Sequence, residues 1–330
     1  MPQGVVAVVG ASGFVGSLLT RALAGAGWTV RAIVPSAVAV DRLRALGYQV
    51  ALADVRDRRS LDAGLAGCRA AVHLVAILRE SGDETYDSVN RQGAGNVAEA
   101  IKIAGLDRLI HLSALGAGPS CTRYLRSKWA GEEEVRRSGA RHVIFRPSFI
   151  MGPGGGSAEQ FAQAVTYGPW YPLRLLLGGD SVFAAFANLT PVIPILGSGQ
   201  ARFMPVDHRD LFSAVLQALE RDDVLGETFE LGGPDVVTFD QIMDTVAEVL
   251  RLRRWKLHIP GGVASMIIRI FSVLPNPPIM PDEYETLQVD NVCDNTNAVQ
   301  TFRLSLRPFA MSLRDALQGS VSSGGLVGGE

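Results

Sequence analysis

Over the first 150 positions, short β-rich apolar runs alternate with longer stretches of helical period. Residues 5–9, 29–34, 49–52, 70–75, 108–112 and 142–145 read as strands, each apolar and bounded by turn-forming residues. Between them, stretches such as "SVNRQGAGNVAEAIKIAG" set Val89, Val97, Ile101 and Ile103 as the buried members of a helix, and Gly105 and Gly139 stand where helices should end. Strand and helix in alternation predict a parallel sheet covered on both faces, an α/β doubly wound architecture. The alternation weakens after Ile150, where "MGPGGGS" marks a boundary. Residues 1–150 are therefore expected to form a nucleotide-binding domain and residues 151–330 a smaller α/β substrate lobe. Within that second stretch a segment near 203–233, with a strand and helix over 203–219 and a strand over 228–231, is expected to return to the first sheet or its edge. Helices follow at 239–250, 263–273 and 282–287, and the Gly/Ser-rich tail from about residue 319 reads as disordered.

Composition narrows the function classes. A formal charge of -2 and a pI near 6.2 provide no basic field for nucleic acid. Cys68, Cys121 and Cys293 are few, odd in number and far apart, which predicts reduced thiols in a cytoplasmic setting and no disulfide framework. His73, His111, His142, His208 and His258 are scattered without metal-ligand spacing; four read as structural, and His208 as the turn before a helix capped by Asp210. The start of the chain lacks the pattern of a secretory signal. No apolar stretch reaches the roughly 18 residues of a membrane span, because 161–196 is broken by Pro169, Pro172, Arg174, Asp180 and Pro191. "GGVASMIIRIFSVLPNPP", with its lone Arg269, reads first as a core helix and second as a peripheral membrane contact.

"VVAVVGASGFVGSLLTRALAGAG" sets Gly10, Gly13 and Gly16 directly after a strand and at the start of an apolar-periodic helix. In that context the first glycine permits a tight turn, the second lets backbone approach a pyrophosphate, and the third packs helix on sheet. Gly10, Ser12, Gly13, Phe14, Val15 and Gly16 are the candidate dinucleotide loop. An acidic residue about 20 positions on would hold the ribose 2′-hydroxyl of NAD; Pro35 and Ser36 stand there instead. The missing carboxylate favours NADP, with NAD still admitted, and Arg31, Arg42 or Arg44 would have to reach a 2′-phosphate. Asp54, just past the third strand, can accept from the adenine amine with Val55 packed on the ring, or can be a solvated turn aspartate.

Tyr124 and Lys128 in "SCTRYLRSKWAGEEEV" are i and i+4 and share one helix face. With six tyrosines and three lysines in the chain, roughly 0.05 such pairs are expected by chance, so the spacing points to chemistry. A phenol of pKa about 10 needs about 4 kcal/mol to fall three units, and an exposed i,i+4 contact supplies only about 0.2 to 0.5 kcal/mol. Lys128 can therefore lower the Tyr124 pKa only in a low-dielectric cleft, and its ammonium also suits a nicotinamide ribose. Ser113, at the C-terminal end of the strand "LIHLS", can place its hydroxyl on the same substrate oxygen as Tyr124 or serve as a turn residue. Ser120 is a second candidate for that role.

In order along nearly the whole chain, "GASGFVG", "VHLVA", "HLSALGA", "YLRSK" and "FRPSFIMGPG" resemble the extended or atypical short-chain dehydrogenase/reductase superfamily, of the NAD-dependent epimerase/dehydratase kind. Within it, "YLRSKWAGEEEV", "LGSGQARFMPV" and "FELGGPDVVTFDQI" look like the group of the Rossmann-type accessory subunit of respiratory complex I and its bacterial relatives. The resemblance implies a Rossmann domain with Tyr124 as acid/base, Lys128 as its partner and Ser113 as third member. It also implies Arg146 and Pro147 near the nicotinamide end and Ala76 along the cofactor cleft. Three features depart from the pattern: Pro35 replaces an arginine common in relatives, the asparagine-rich motif of single-domain members is absent, and an apolar insertion fills 167–188. The expected activity is hydride transfer on an apolar carbonyl or alcohol, quinone- or isoprenoid-like. The alternatives are a non-catalytic NADP(H)-binding redox sensor or assembly protein, and a sugar-nucleotide epimerase. The oligomeric state stays open.

Overall fold

A computed structural model describes residues 4–178, 180–272, 277 and 279–322. The chain divides into two compact units, the first made of 1–147, 208–231 and 293–306, the second of 148–207, 232–292 and 307–330.

The first unit runs β1 (Val5–Val9), α1 (Phe14–Gly25), β2 (Thr29–Val34), α2 (Ala37–Ala45), β3 (Gln49–Leu52), α3 (Arg58–Leu65) and β4 (Ala70–His73). A π-helical turn (Tyr86–Gln92) leads into α4 (Gly93–Ile103), followed by β5 (Arg108–Leu112), α5 (Arg123–Ser138) and β6 (His142–Pro147). Strands β1 and β5 are almost wholly buried, as continuous apolar runs require in a sheet with helices on both faces. Seven parallel strands order as β11-β6-β5-β4-β1-β2-β3, with β11 (Thr228–Leu231) returning beside β6. The order reverses between β1 and β4, whose C-terminal ends form the switch point where open sheets bind ligands. Also returning to this unit are α9 (His208–Ala218) and α13 (Thr296–Phe302), the latter without a signal in the apolar pattern.

Beyond β6 lie β7 (Ile150–Met151), α6 (Gly156–Tyr167), a 3-10 turn (Gly168–Trp170), α7 (Tyr171–Leu177), α8 (Asp180–Leu189), β8 (Val192–Leu196), β9 (Arg202–Phe203) and β10 (Val206–Asp207). The rest of the second unit comprises β12 (Val237–Thr238), α10 (Phe239–Val249), β13 (Trp255–Ile259), α11 (Gly261–Phe271), α12 (Pro281–Leu287) and α14 (Phe309–Ser322). Its strands form three two-stranded pairs, and its core gathers Phe161, Phe203, Val246 and Leu313.

Several expectations need correction. Of the segment 203–219 only α9 joins the first unit; β9 and β10 pair with β12 and β7 in the second. Ile103 is 63% exposed because it lies about 200° around α4 from the buried Ile101. The helix α9 starts at His208 itself, and Asp210 is a buried residue of its first turn instead of a cap. The end of the chain stays helical through Ser322, past the expected onset of disorder; residues 323–330 lie outside the described residues, as does Val273.

Candidate active site

The loop after β1 is shaped by what its glycines exclude. Gly10 has φ +94, and a Cβ there would come within 2.9 Å of Val75 Cγ2. A Cβ on Gly16 would lie 2.0 Å from the Gly10 carbonyl oxygen, so helix α1 can sit this close to the strand only with glycine. Gly13, the N-cap residue of α1, is different: it is exposed, and an added Cβ would meet only Gly10 O at 3.5 Å. Open space over a helix N-terminus suits a pyrophosphate. Gly16→Ala is expected to destabilise the protein by roughly 2 to 4 kcal/mol. Gly13→Ala should keep the melting temperature and weaken dinucleotide binding about tenfold or more; melting curves with a dinucleotide titration check the contrast.

Beside this loop a cavity of about 200 Å³ is lined by Val9, Gly10, Pro35, Asp54, Val55 and Arg56. Its walls are mostly apolar, with Asp54 and Glu84 as the carboxylates of the lining, and the apolar surface beside Asp54 suits an adenosine moiety. Arg56 forks onto Asp54, with Nη2 to Oδ2 at 2.6 Å, and its guanidinium holds the Asp54 carboxyl below the usual range. The sequence pattern points to the end of β2 for this cation; the signal for Arg56 is its place two residues after Asp54 in "ADVRD". Arg31 is engaged elsewhere, donating to Gly64 O at 3.1 Å and Ala66 O at 2.6 Å at the end of α3. Arg42 and Arg44 occupy the last turn of α2, at the end opposite the cavity. Ser36 is the exposed N-cap position of α2. Ser12, Phe14 and Val15 are partly buried in the glycine loop and first turn of α1.

Helix α5 is capped at its start by Thr122, whose hydroxyl accepts from Leu125 N, and at its end by Gly139 with φ 69. It packs closely on the π-helical turn: a Cβ on Gly131 would come within 2.4 Å of Asn90 O. Lys128 is buried, and its Nζ donates to Leu112 O at 2.8 Å at the C-terminal end of β5. Burial lowers its pKa to about 8, opposed by the carboxylate of Glu132 one turn on. The ring of Tyr124 is partly buried, 6.2 Å from that of Tyr86, and burial raises its phenol to about 12. This reverses the direction expected from the Lys128 spacing, because desolvation of the phenolate dominates while the ammonium is turned to a backbone carbonyl.

Ser113 is built into a different structure. Its Oγ is buried on the Glu132 side without a hydrogen-bond partner among the described residues. Glu132 itself is fully buried; it accepts from Arg146 Nε at 2.8 Å and Nη2 at 2.7 Å, and from Arg136 Nη2 at 3.0 Å. Burial opposes its charge, yet the guanidiniums of Arg146 and Arg136 hold its pKa below the ordinary value. Arg146 is thus tied into this cluster, with Glu230 at 3.4 Å. Glu132 was missed, although it continues the Tyr124, Lys128 face at i+8. Pro147 is buried at the end of β6, its carbonyl accepting from Leu115 N at 2.9 Å. Ser120 is exposed just before α5. Ala76 is partly buried in the segment after β4, where Asn90 accepts from Ile77 N at 2.8 Å and donates to Ile77 O at 3.1 Å and to Ser127 Oγ at 2.9 Å. Buried Asn90 also went unnoticed; a π-helical turn frequently marks a functional site. Among the described residues no cluster of His, Cys, Asp or Glu has the arrangement of a metal site.

Residues 10–165 match the NAD(P)H-binding domain family. The chain is 32% identical over 282 residues to ceramide reductase of Caulobacter vibrioides, covering 84% of this chain and 81% of that protein. It is 30% identical over 326 residues to the mitochondrial NADH dehydrogenase (ubiquinone) 1 alpha subcomplex subunit 9 of Arabidopsis thaliana, covering 93% and 75%. A solved UDP-glucose 4-epimerase from Thermotoga maritima superposes with a TM-score of 0.70 at 16% identity, over 97% of this chain and 99% of that one, a likeness of fold. The switch-point glycine loop, the parallel order of the sheet and these matches together place the chain in the extended or atypical short-chain dehydrogenase/reductase superfamily, among the NAD(P)-binding relatives of complex I subunit 9 and ceramide reductase.

Proposed function

We propose that this protein is a reductase that prefers NADP and delivers hydride to the carbonyl carbon of an apolar, lipid-like substrate. The observation that carries the reading is the Tyr124 and Lys128 pair one turn apart on α5, with the Lys128 ammonium buried on Leu112 O at the C-terminal end of β5 and burial keeping the Tyr124 phenol protonated. A phenol in that state is a proton donor at neutral pH, which suits the oxygen of a carbonyl being reduced better than the hydroxyl of an alcohol being oxidised. Tyr124 gives its proton to the substrate oxygen, and Lys128, anchored on Leu112 O, supplies positive charge beside it. The dinucleotide, when bound, supplies the hydride. The residues fit it: the Gly10–Gly13–Gly16 cradle takes the pyrophosphate, Asp54 and Val55 take adenine, and Arg56 offers the cation for a 2′-phosphate that Arg31 cannot supply. The apolar substrate class rests on the name of the ceramide reductase relative and on the apolar character of residues 161–196.

A second reading, cofactor holding without turnover, draws on two observations. Ser113 is turned into the Glu132 cluster, and relatives are named as subunits of a respiratory complex. Deuteride transfer separates the two. With C4-deuterated NADPH and a panel of long-chain ketones, the reductase reading expects deuterium on the carbinol carbon of one class. Retained dinucleotide with no label on any ketone would support holding alone.

A further inference from the structure

Within the second unit, two helices and a strand expose apolar side chains at the period of their own secondary structure. On α8, Val182, Phe186 and Leu189 (i, i+4, i+7) share one face and are all exposed. On α11, Val263, Met266 and Ile270 do the same, while the opposite face buries Ala264 and Ile268 against Tyr284. On β13, Trp255 and Leu257 alternate outward, Trp255 at 77% exposure. The ends of α8 and β13 are tied together: Arg254 donates to Ala187 O at 3.0 Å, and Trp255 N to Pro191 O at 2.7 Å. From there the chain passes through Pro260 directly into α11. Isolated exposed apolar residues need no explanation, but periodic stripes on three elements of one unit do.

Charge identifies what covers them. From residue 249 to 281 the chain has no aspartate or glutamate, in a protein of net charge -2; of its five cations Lys256 is paired with Asp240 and Asp244 and Arg254 caps backbone carbonyls, which leaves Arg251, Arg253 and Arg269. Arg251, Arg253 and Arg269 are exposed and make no ion pair among the described residues. A second copy of this chain docked by a two-fold axis would bring like charges face to face. An anionic bilayer offers both a negative surface and an apolar layer at side-chain depth, and tryptophan flanked by cations suits its interface. We infer that β13, α11 and the exposed face of α8 form a peripheral docking surface for a membrane containing anionic lipid. No helix of the described residues is long and apolar enough to cross a membrane, so the contact lies in the interface. This inference does not depend on the chemistry at Tyr124.

The test uses the full chain with vesicles of phosphatidylglycerol and phosphatidylcholine, against phosphatidylcholine alone. Co-sedimentation is expected only with the anionic vesicles and should fade with salt. Trp255 fluorescence should shift to the blue and be quenched by brominated lipid, and W255F should remove that signal. R251A/R253A should lower partitioning on the order of twentyfold at low salt. I270E should lower it as well, without changing the melting temperature, since the side chain is exposed. Absence of vesicle binding, binding insensitive to both sets of substitutions, or a dimer in sedimentation that I270E abolishes would each overturn the proposal.

Discussion

Tyr124→Phe is expected to reduce carbonyl reduction by between about a hundredfold and ten-thousandfold, the range for losing a positioned proton donor. The dinucleotide dissociation constant should stay within about twofold, because the hydroxyl is not part of the glycine cradle or the Asp54 cavity. The loss reflects removal of the donor itself. Burial stabilises the neutral phenol, so a proton is present on Tyr124 throughout the neutral range, and removing the oxygen removes the donor outright. The pH profile should carry a second signature. Lys128 is charged only below about 8, so the reductive rate should be flat through neutrality and decline above that value as the ammonium is lost. Alcohol oxidation by the same protein should instead climb with pH, since it needs the phenolate. A phenylalanine variant with full activity would refute the role of Tyr124 directly. A wild-type profile rising through pH 8 in the reductive direction would refute that of Lys128.

What could be read from the residues divides by sequence distance. The glycine loop was legible because strand, turn and helix are consecutive, and each glycine answers a local clash: Val75 against Gly10, the Gly10 carbonyl against Gly16. The Tyr124 and Lys128 pair was legible because one helix carries both. The error over the sign of the Tyr124 shift has a different source: spacing along a helix says where a charge stands, not how much water surrounds the phenol. Apart from Arg56 on Asp54, two residues away, the contacts that escaped join distant segments. Arg146 meets Glu132 because β6 runs beside β5 under α5. Many of the arginines pair with carboxylates, but a few cap carbonyl groups of distant segments, which no local pattern announces. Arg31 serves the end of α3, Arg108 donates to Ala218 O and Arg221 O beyond α9, and Arg254 donates to Val165 O, Thr166 O and Ala187 O. A planar fork of donors does this where the point charge of lysine does it poorly.

Acid should weaken this fold earlier than carboxylate chemistry alone would allow, because of two histidines that sit on adjacent strands. His73 on β4 and His111 on β5 are register partners, fully buried, with Nδ1 to Nδ1 at 3.0 Å and rings stacked 5.0 Å apart. One Nδ1 must donate to the other, which requires both rings neutral or at most one charged, and neither Nε2 has a partner among the described residues. Burial, and then the nearby Lys128 ammonium, lowers the His73 pKa to about 3; burial, then His73 and Lys128, lowers that of His111 well below its ordinary value. A depressed histidine pKa means that the unfolded chain binds protons the native chain refuses. Stability therefore falls as pH drops below the unfolded value of about 6.5, continuing toward 3. Between pH 7 and 5 each histidine withdraws about 2 kcal/mol, so the pair withdraws about 4 kcal/mol, a large share of a typical domain's stability. Carboxylates titrate mainly below this window, which isolates the effect. Urea unfolding at pH 7 and pH 5 should show that difference in the native protein. In His73→Leu/His111→Leu the pH dependence should flatten, with stability at pH 7 nearly unchanged because both polar partners are replaced together. An undiminished slope in the double variant would mean that the buried imidazoles are not what acid attacks.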